Sequence, residues 1–161
     1  MGMQYDVKSE HLTGSGVAVS YRTRLKGAVM SPNSTAAKNA IFANNVAQNG
    51  TYNIPGSTVC TITIANHGLS NGARVWVDFT SGSGTTDNVY VVANASANTF
   101  TVTTASLTTS GNVSVYSQVL MEVDCYNPTS FNVLIPGEGI LANDGIYVGV
   151  PANVTATVFY G

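Results

Sequence analysis

Few side chains in this sequence could do acid–base, nucleophilic or metal chemistry. The two histidines are His11, in a polar stretch, and His67, in a His-Gly-Leu turn. A zinc site needs three or four converging ligands, and no cysteine and histidine pair has the required spacing. The two cysteines, Cys60 and Cys125, fall in separate strand-like runs, so a nucleophilic thiol would need a histidine base that no local pattern supplies. The residues therefore predict no catalytic set, no metal site, no cofactor and a protein that is not an enzyme.

His67 and the two cysteines have structural interpretations that do not involve catalysis or metal binding. A single histidine in a turn, such as His67, more often hydrogen-bonds its own loop than binds a metal. Cys60 and Cys125 are more often buried thiols than a disulfide if the protein is made in the cytoplasm. Their types and spacing leave the bridge open as the less favoured alternative.

The charged residues are scarce and unevenly distributed. They make up 9 % of the chain, against about 25 % in an average globular domain. Residues 1–50 hold five cations and two acids, whereas residues 51–161 hold one cation and six acids. The asymmetry is either chance in a charge-poor chain or an N-terminal part that docks onto something acidic.

The basic residues near the N-terminus show a pattern. Arg22, Arg24 and Lys26 alternate with apolar residues, which places them on one face of a predicted strand. Together with Lys8 they predict a partner-docking surface. They are too few for a nucleic-acid footprint, so no nucleic-acid partner is expected.

Two acids and one aromatic residue complete the set of candidate contact residues. Glu122 and Asp124 also alternate on one strand face, which favours ion pairs with Arg22 or Arg24, or pairing between subunits, over a glycosidase dyad. Trp76 lies between Val75 and Val77, a pattern that favours a core position over a platform for a sugar ring. A glycan contact through Trp76 is the alternative.

Alternation of apolar and polar residues dominates the rest of the chain and predicts an all-β protein. The alternating segments, separated by turns rich in Gly, Asn and Pro, are 17–26, 58–65, 74–80, 88–94, 99–104, 112–117, 118–126, 130–135, 145–150 and 153–160. Many short strands at even spacing indicate a small β-sandwich or barrel, jelly-roll-like in type. No stretch is apolar and long enough to span a membrane, and no secretory signal is visible.

The segment 35–48 is ambiguous. Its alanines could line a helix capped by Ser34 or Thr35. Asn39, Asn44 and Asn45 disfavour a stable helix. The favoured interpretation is a strand over residues 40–44.

One stretch resembles a small β-module of tailed-phage structural proteins. Residues 62–82 read Ile-Thr-Ile-Ala-Asn-His-Gly-Leu-Ser-Asn-Gly-Ala-Arg-Val-Trp-Val-Asp-Phe-Thr-Ser-Gly. The likeness continues through Val-Tyr-Val-Val at 89–92, Asn-Thr-Phe-Thr-Val-Thr at 98–103 and Ser-Gly-Asn-Val at 110–113. The resemblance implies a second small β-sandwich or barrel within the chain.

The flanking sequence looks like a short virion protein of marine phages, especially cyanophages. The matching segments are Met-Gln-Tyr-Asp-Val-Lys at 3–8, Arg-Thr-Arg-Leu-Lys-Gly at 22–27, Ile-Pro-Gly-Glu-Gly-Ile at 135–140 and Val-Thr-Ala-Thr-Val-Phe-Tyr-Gly at 154–161. The short form lacks the module. The two resemblances imply a discontinuous host (docking) domain, residues 1–50 plus 118–161, with a projecting module, residues 51–117, inserted at a loop tip.

These resemblances imply a virion structural protein that is assembled in the host cytoplasm. The favoured role is a head decoration (cement) protein, a homotrimer bound to the major capsid protein through its N-terminal arm and basic face. The alternatives are a tail, adaptor or fibre-associated protein, and a host-glycan-binding module that uses Trp76 or the tyrosines of the insert. No membrane partner is expected.

Overall fold

A computed structural model describes residues 7–126 and 128–161, and residues 1–6 of the expected N-terminal arm lie outside this range. The described residues form thirteen strands and no helix, so the all-β prediction is confirmed. Accordingly, no helix in the described part could span a membrane. The chain divides into two compact units, which are Met1–Val46 with Leu120–Gly161, and Ala47–Val119.

The first unit contains two antiparallel sheets. The first sheet consists, in spatial order, of β1 (Lys8–Leu12), β13 (Val154–Tyr160), β3 (Thr23–Pro32) and β10 (Phe131–Leu134), with β11 (Ile140–Ala142) also paired to β3. The second sheet consists of β2 (Gly16–Val19), β12 (Ile146–Gly149), β4 (Lys38–Asn44) and β9 (Val119–Cys125).

The strand order of these sheets defines a jelly roll. Because β10 and β11 pair with successive parts of β3, they act as one interrupted strand. With β10 and β11 counted as one, this unit has eight strands, which we number one to eight in chain order for this comparison. One sheet then holds strands one, eight, three and six, and the other holds strands two, seven, four and five. This is the jelly-roll order. Both sheets have free edges in the described part of the chain, so of the two predicted forms the sandwich is confirmed and not the barrel.

The core of the first unit draws on strands of both sheets. Leu25 and Met30 of β3, Phe42 of β4 and Val148 of β12 are fully buried. On β13 every second residue from Val154 is buried, as the period of two predicts. Each large apolar side chain buried in this way contributes about 1.5–3 kcal/mol to folding.

The continuous strand predicted over residues 17–26 is wrong. The chain bends at residues 20–22, and β2 and β3 belong to different sheets. A jelly-roll chain must cross between sheets here, and the alternation is interrupted where it does so. Val17 is exposed, while Ala18 and Val19 are both buried, so the alternation does not hold across β2. In contrast, the strand favoured over residues 40–44 is confirmed by β4.

The second unit is one antiparallel sheet dominated by two long strands. Its order is β5 (Gln48–Thr63), β8 (Thr99–Tyr116), β6 (Arg74–Asp78) and β7 (Asn88–Val91). The turn expected between residues 104 and 112 is a continuation of β8. Thr, Ser and Gly favour turns locally, but pairing with the first half of β5 satisfies this backbone as strand.

The start of the long strand β5 lies against its own end, at a glycine. A Cβ atom added at Gly50 would collide with the carbonyl oxygen of Thr63 and the side chain of Ile64. The backbone near the start of β5 therefore lies directly against the residues at its end. Only glycine, which has no Cβ atom, leaves room for this close approach.

We expect Gly50→Ala to destabilise the second unit by about 1–3 kcal/mol, because backbone must move to accept the methyl group. Trp76, on β6 of this unit, is the only tryptophan in the chain and its side chain is fully buried, so its fluorescence during urea unfolding measures the loss. Thr51→Ala, at the exposed neighbouring position of β5, is the control and should change stability by less than about 0.5 kcal/mol. Equal midpoints for the two variants would contradict the close packing.

Both cysteines are buried free thiols, in agreement with the favoured interpretation. Cys60 shares the inward face of β5 with Ile62, and both are fully buried, whereas Val59 and Thr63 point outward, as the alternation predicts. Burial raises the pKa of the Cys60 thiol to about 11. The thiol therefore stays protonated in the folded protein well above the pH at which an unfolded chain loses that proton.

This pKa shift predicts a loss of stability in alkaline solution. An unfolded thiol ionises near pH 8.5, so above that pH the unfolded state binds fewer protons and the free energy of unfolding falls. We expect the difference in unfolding free energy between the wild type and Cys60→Ala to shrink by about 3 kcal/mol from pH 8 to pH 11. Urea titrations across this range measure it, and parallel pH profiles for the two proteins would refute the burial argument.

Candidate functional site: a basic hollow on the jelly roll

The strands of the first sheet bring distant residues together at one end of that sheet. Lys8 of β1 lies opposite Tyr160 of β13, and Tyr160 lies opposite Leu25 of β3. On the other side of β3, Arg24 lies opposite Leu141 of β11. Residues separated by most of the chain length therefore form one row across the sheet.

A hollow of about 450 Å³ opens at this row. Three of the chain's six cationic side chains line it together with neutral residues, and none of the lining residues is acidic. We call it the basic hollow, and its lining residues are Lys8, Tyr21, Arg22, Thr23, Arg24, Leu141, Tyr160 and Gly161.

Two local irregularities shape the basic hollow. The bend at residues 20–22 carries Tyr21 and Arg22 to its wall. The register of β13 against β3 shifts between Phe159, which faces Gly27, and Tyr160, which faces Leu25. Such a bulge increases the local twist and redirects side chains, and bulges are frequent next to functional sites.

Hydrogen bonds and a ring contact hold two of the cations in place. The ammonium group of Lys8 donates to the hydroxyl of Tyr21 at 3.4 Å and lies 5.7 Å from the centre of that ring. Arg24 Nη1 donates to the carbonyl oxygen of Gly139 at 3.4 Å. Both contacts leave further donors of these groups for a ligand.

The phenol of Tyr160 contributes a neutral donor. Burial is the main cause that raises its pKa, with smaller raising effects from Tyr21 and from the carboxylate of Glu10, while Lys8 lowers it. The phenol therefore keeps its proton at neutral pH. Glu10 lies on β1 opposite Val158 and is the carboxylate whose charge acts on Tyr160.

This arrangement suits the binding of an anionic group. Guanidinium groups match the geometry of carboxylate and phosphate, and an ammonium group adds a point charge. Cations that share a hollow repel one another, and an anion bound among them would relieve that repulsion. The hollow is large enough to take the end of an acidic side chain or a small oxyanion.

The other predicted docking residues do not line the hollow. Lys26 donates to the carbonyl oxygen of Glu138 at 2.9 Å, in the turn before β11. Glu122, on β9 of the second sheet, accepts a hydrogen bond from the side-chain amide of Asn39 at 2.9 Å. Asp124 is exposed on the same strand. The acids and Arg24 thus belong to different sheets of the first unit.

Trp76 does not offer a sugar platform. Its side chain is fully buried, so no face of the ring is open for a sugar to stack on. The core interpretation of this residue fits the structure, and the glycan contact through Trp76 does not.

His67 acts as a support for its own loop, the interpretation that its sequence context favours. The ring is buried, and Nδ1 accepts a hydrogen bond from the backbone N–H of Leu69 at 3.0 Å. Nε2 lies 3.3 Å from the carbonyl oxygen of Thr99, to which it donates, and the ring packs edge-on against Phe100. Within residues 7–126 and 128–161, no three His, Cys, Asp or Glu side chains group to hold a metal.

Tyr21 and Tyr160 both line the hollow, and the sequence patterns singled out neither as a contact residue. Tyr160 continues the alternation of Val154, Ala156 and Val158, so its core-facing side could have been inferred. Its approach to Lys8 could not, because it depends on the pairing of β1 with β13, which no local pattern encodes.

Comparisons with known proteins assign no family. No family model matches the chain, and no curated protein matches it. Among solved structures, the phage phi92 endosialidase is similar over 84 % of this chain and 22 % of the endosialidase chain, at 18 % identity and a TM-score of 0.35. The chain thus spans about a fifth of that protein, and a likeness at this level assigns neither fold nor function.

The basic hollow predicts stabilisation by a small oxyanion. With inorganic phosphate at ten times its Kd, binding to the folded state alone should add about 1.4 kcal/mol to the free energy of unfolding. Urea unfolding in phosphate and in sodium chloride of equal ionic strength measures the difference. Arg22→Ala combined with Arg24→Ala should abolish it, whereas Lys38→Ala, on the second sheet, should retain it. An equal response to phosphate in all three proteins would argue against an anion site here.

Proposed function

We propose that this chain is a structural protein of a tailed-phage virion, and that its basic hollow docks onto an acidic surface of a neighbouring virion subunit. The observation that carries the proposal is the convergence of Lys8, Arg22 and Arg24 in one hollow. Binding, and not catalysis, is the activity proposed.

The fold and the sequence support this proposal in different ways. The jelly roll occurs in viral capsid proteins and in lectins, and a fold alone does not set a function. The resemblance of the flanking segments and of the stretch 62–113 to phage structural proteins favours the virion. The chemistry of the hollow then indicates how contact with a neighbour would be made.

The charge pattern suits selective docking. In a chain with 9 % charged residues, three cations in one hollow form a strong local feature. Complementary charges speed the encounter of two proteins and fix how they meet, and arginine is enriched at interfaces. An acidic side chain that enters the hollow would be held by several donors.

Within the virion, the role we propose is that of a capsid decoration protein. Homotrimers would bridge neighbouring major capsid subunits, and the binding free energy at each junction would stabilise the shell by mass action. A tail, adaptor or fibre-associated position is the alternative, and the copy number per particle distinguishes the two. A decoration protein is present in proportion to the capsid subunit, and a tail protein in few copies.

Charge reversal in the hollow tests the docking. Particles that lack the protein are incubated with purified wild type, Arg22→Glu or Lys38→Glu, and the bound fraction is measured after sedimentation at low and high salt. Arg22 is exposed in the bend, so the substitution should be tolerated by the fold. We expect Arg22→Glu to lose at least about tenfold in affinity, with weaker salt dependence than the wild type. Lys38→Glu should bind as the wild type does.

If Arg22→Glu binds to the particles as fully as the wild type at both salt concentrations, the docking proposal is contradicted. Far-ultraviolet circular dichroism of each variant confirms that its sheets are intact, so that a loss of binding reports on the interface.

A further inference from the structure

A second hollow lies in the second unit and has neutral chemistry. Its volume is about 280 Å³, and no charged side chain lines it. Four threonines, Asn88 and Tyr90 supply hydroxyl and amide groups, and Leu107 supplies an apolar surface. We call it the neutral hollow.

A bulge in the pairing of β5 with β8 shapes one wall of the neutral hollow. Thr103 lies opposite Val59, and Leu107 lies opposite Ser57. Three residues of β8, numbers 104–106, therefore face the single residue 58 of β5. The ladder is interrupted here, so backbone N–H and C=O groups are released from regular pairing beside the hollow. The hydroxyl of Thr104 donates to the carbonyl oxygen of Ala105 at 3.1 Å, which leaves its lone pairs able to accept from a ligand.

The opposite wall is held by Tyr90. Its hydroxyl donates to the carbonyl oxygen of Thr86 at 2.7 Å, and its ring packs edge-on against Phe79 at 6.2 Å between centroids. Burial raises the pKa of Tyr90 to about 12, so the ring is uncharged at neutral pH. A fixed aromatic ring next to fixed hydroxyl groups costs little further ordering when a ligand binds.

We propose that the neutral hollow binds one ring of a neutral sugar. A pyranose presents several hydroxyl groups, which pair with threonine hydroxyls and the Asn88 amide, and an apolar C–H face, which suits Tyr90 and Leu107. A charged ligand would lose hydration here without gaining a countercharge. The site is separate from Trp76, and the inference does not depend on the docking role of the basic hollow.

The test is a titration of the full 161-residue chain, labelled with ¹⁵N, with four probes. The probes are D-glucose, D-galactose, D-mannose and N-acetyl-D-glucosamine, each followed by amide chemical shifts. We expect at least one probe to give saturable shifts with millimolar affinity, confined to residues 84–90 and 103–107. Thr104→Val removes one hydroxyl at nearly constant shape and should weaken that binding about fivefold, the equivalent of one hydrogen bond.

Thr51→Val, on β5 and outside the neutral hollow, is the matched control and should bind like the wild type. Should Thr104→Val fail to fold, Thr103→Val at an exposed lining position takes its place with the same expectation. The inference is overturned if none of the four sugars shifts these amides, if the shifts lie elsewhere, or if the lining and control variants bind equally well.

Discussion

The pairing of β13 with both β1 and β3 is the interaction on which the first unit depends. This strand hydrogen-bonds on both edges and buries Val154, Ala156, Val158 and Tyr160 on one side. It places the first and the last of the described strands side by side, with β1 at the edge of the sheet. The same pairing brings Lys8 next to Tyr160 and into the hollow that Arg24 also lines, so the backbone ladder that completes the core also assembles the basic hollow.

Local patterns predicted much of this architecture, because a period of two is a local property of a strand. The opposite faces of Val59 and Cys60 follow from it. The strand at 40–44 follows instead from the asparagines that disfavour a helix, since residues 40–44 are all buried and do not alternate. The break at residues 20–22 and the continuity of β8 do not, because both are decided by partners distant in sequence. For the same reason the sequence singles out Arg22 and Arg24 by residue type and spacing. That they line one hollow with Lys8, and that Glu122 lies on the other sheet, depends on strand pairing across the fold.

The two hollows differ in the chemistry of their linings, and we propose a different class of ligand for each. In the first unit, cations concentrated at one end of a sheet select for an anionic group. In the second unit, threonines and a tyrosine around a bulge select for an uncharged ligand rich in hydroxyl groups. Both hollows lie where the ladder is irregular, at the Phe159–Tyr160 register shift and at residues 104–106. Irregular pairing redirects side chains, and it leaves without a ladder partner some backbone groups that a regular sheet would pair between its strands.

The central claim is that the basic hollow is a contact site within a virion. Cryo-electron microscopy of the intact particle tests it most directly, since it shows where this chain lies and what faces Arg22 and Arg24. We expect density for the chain on the capsid lattice, with an acidic side chain of a neighbouring subunit inside the hollow. A particle in which the hollow faces solvent, or from which the chain is absent, would contradict it.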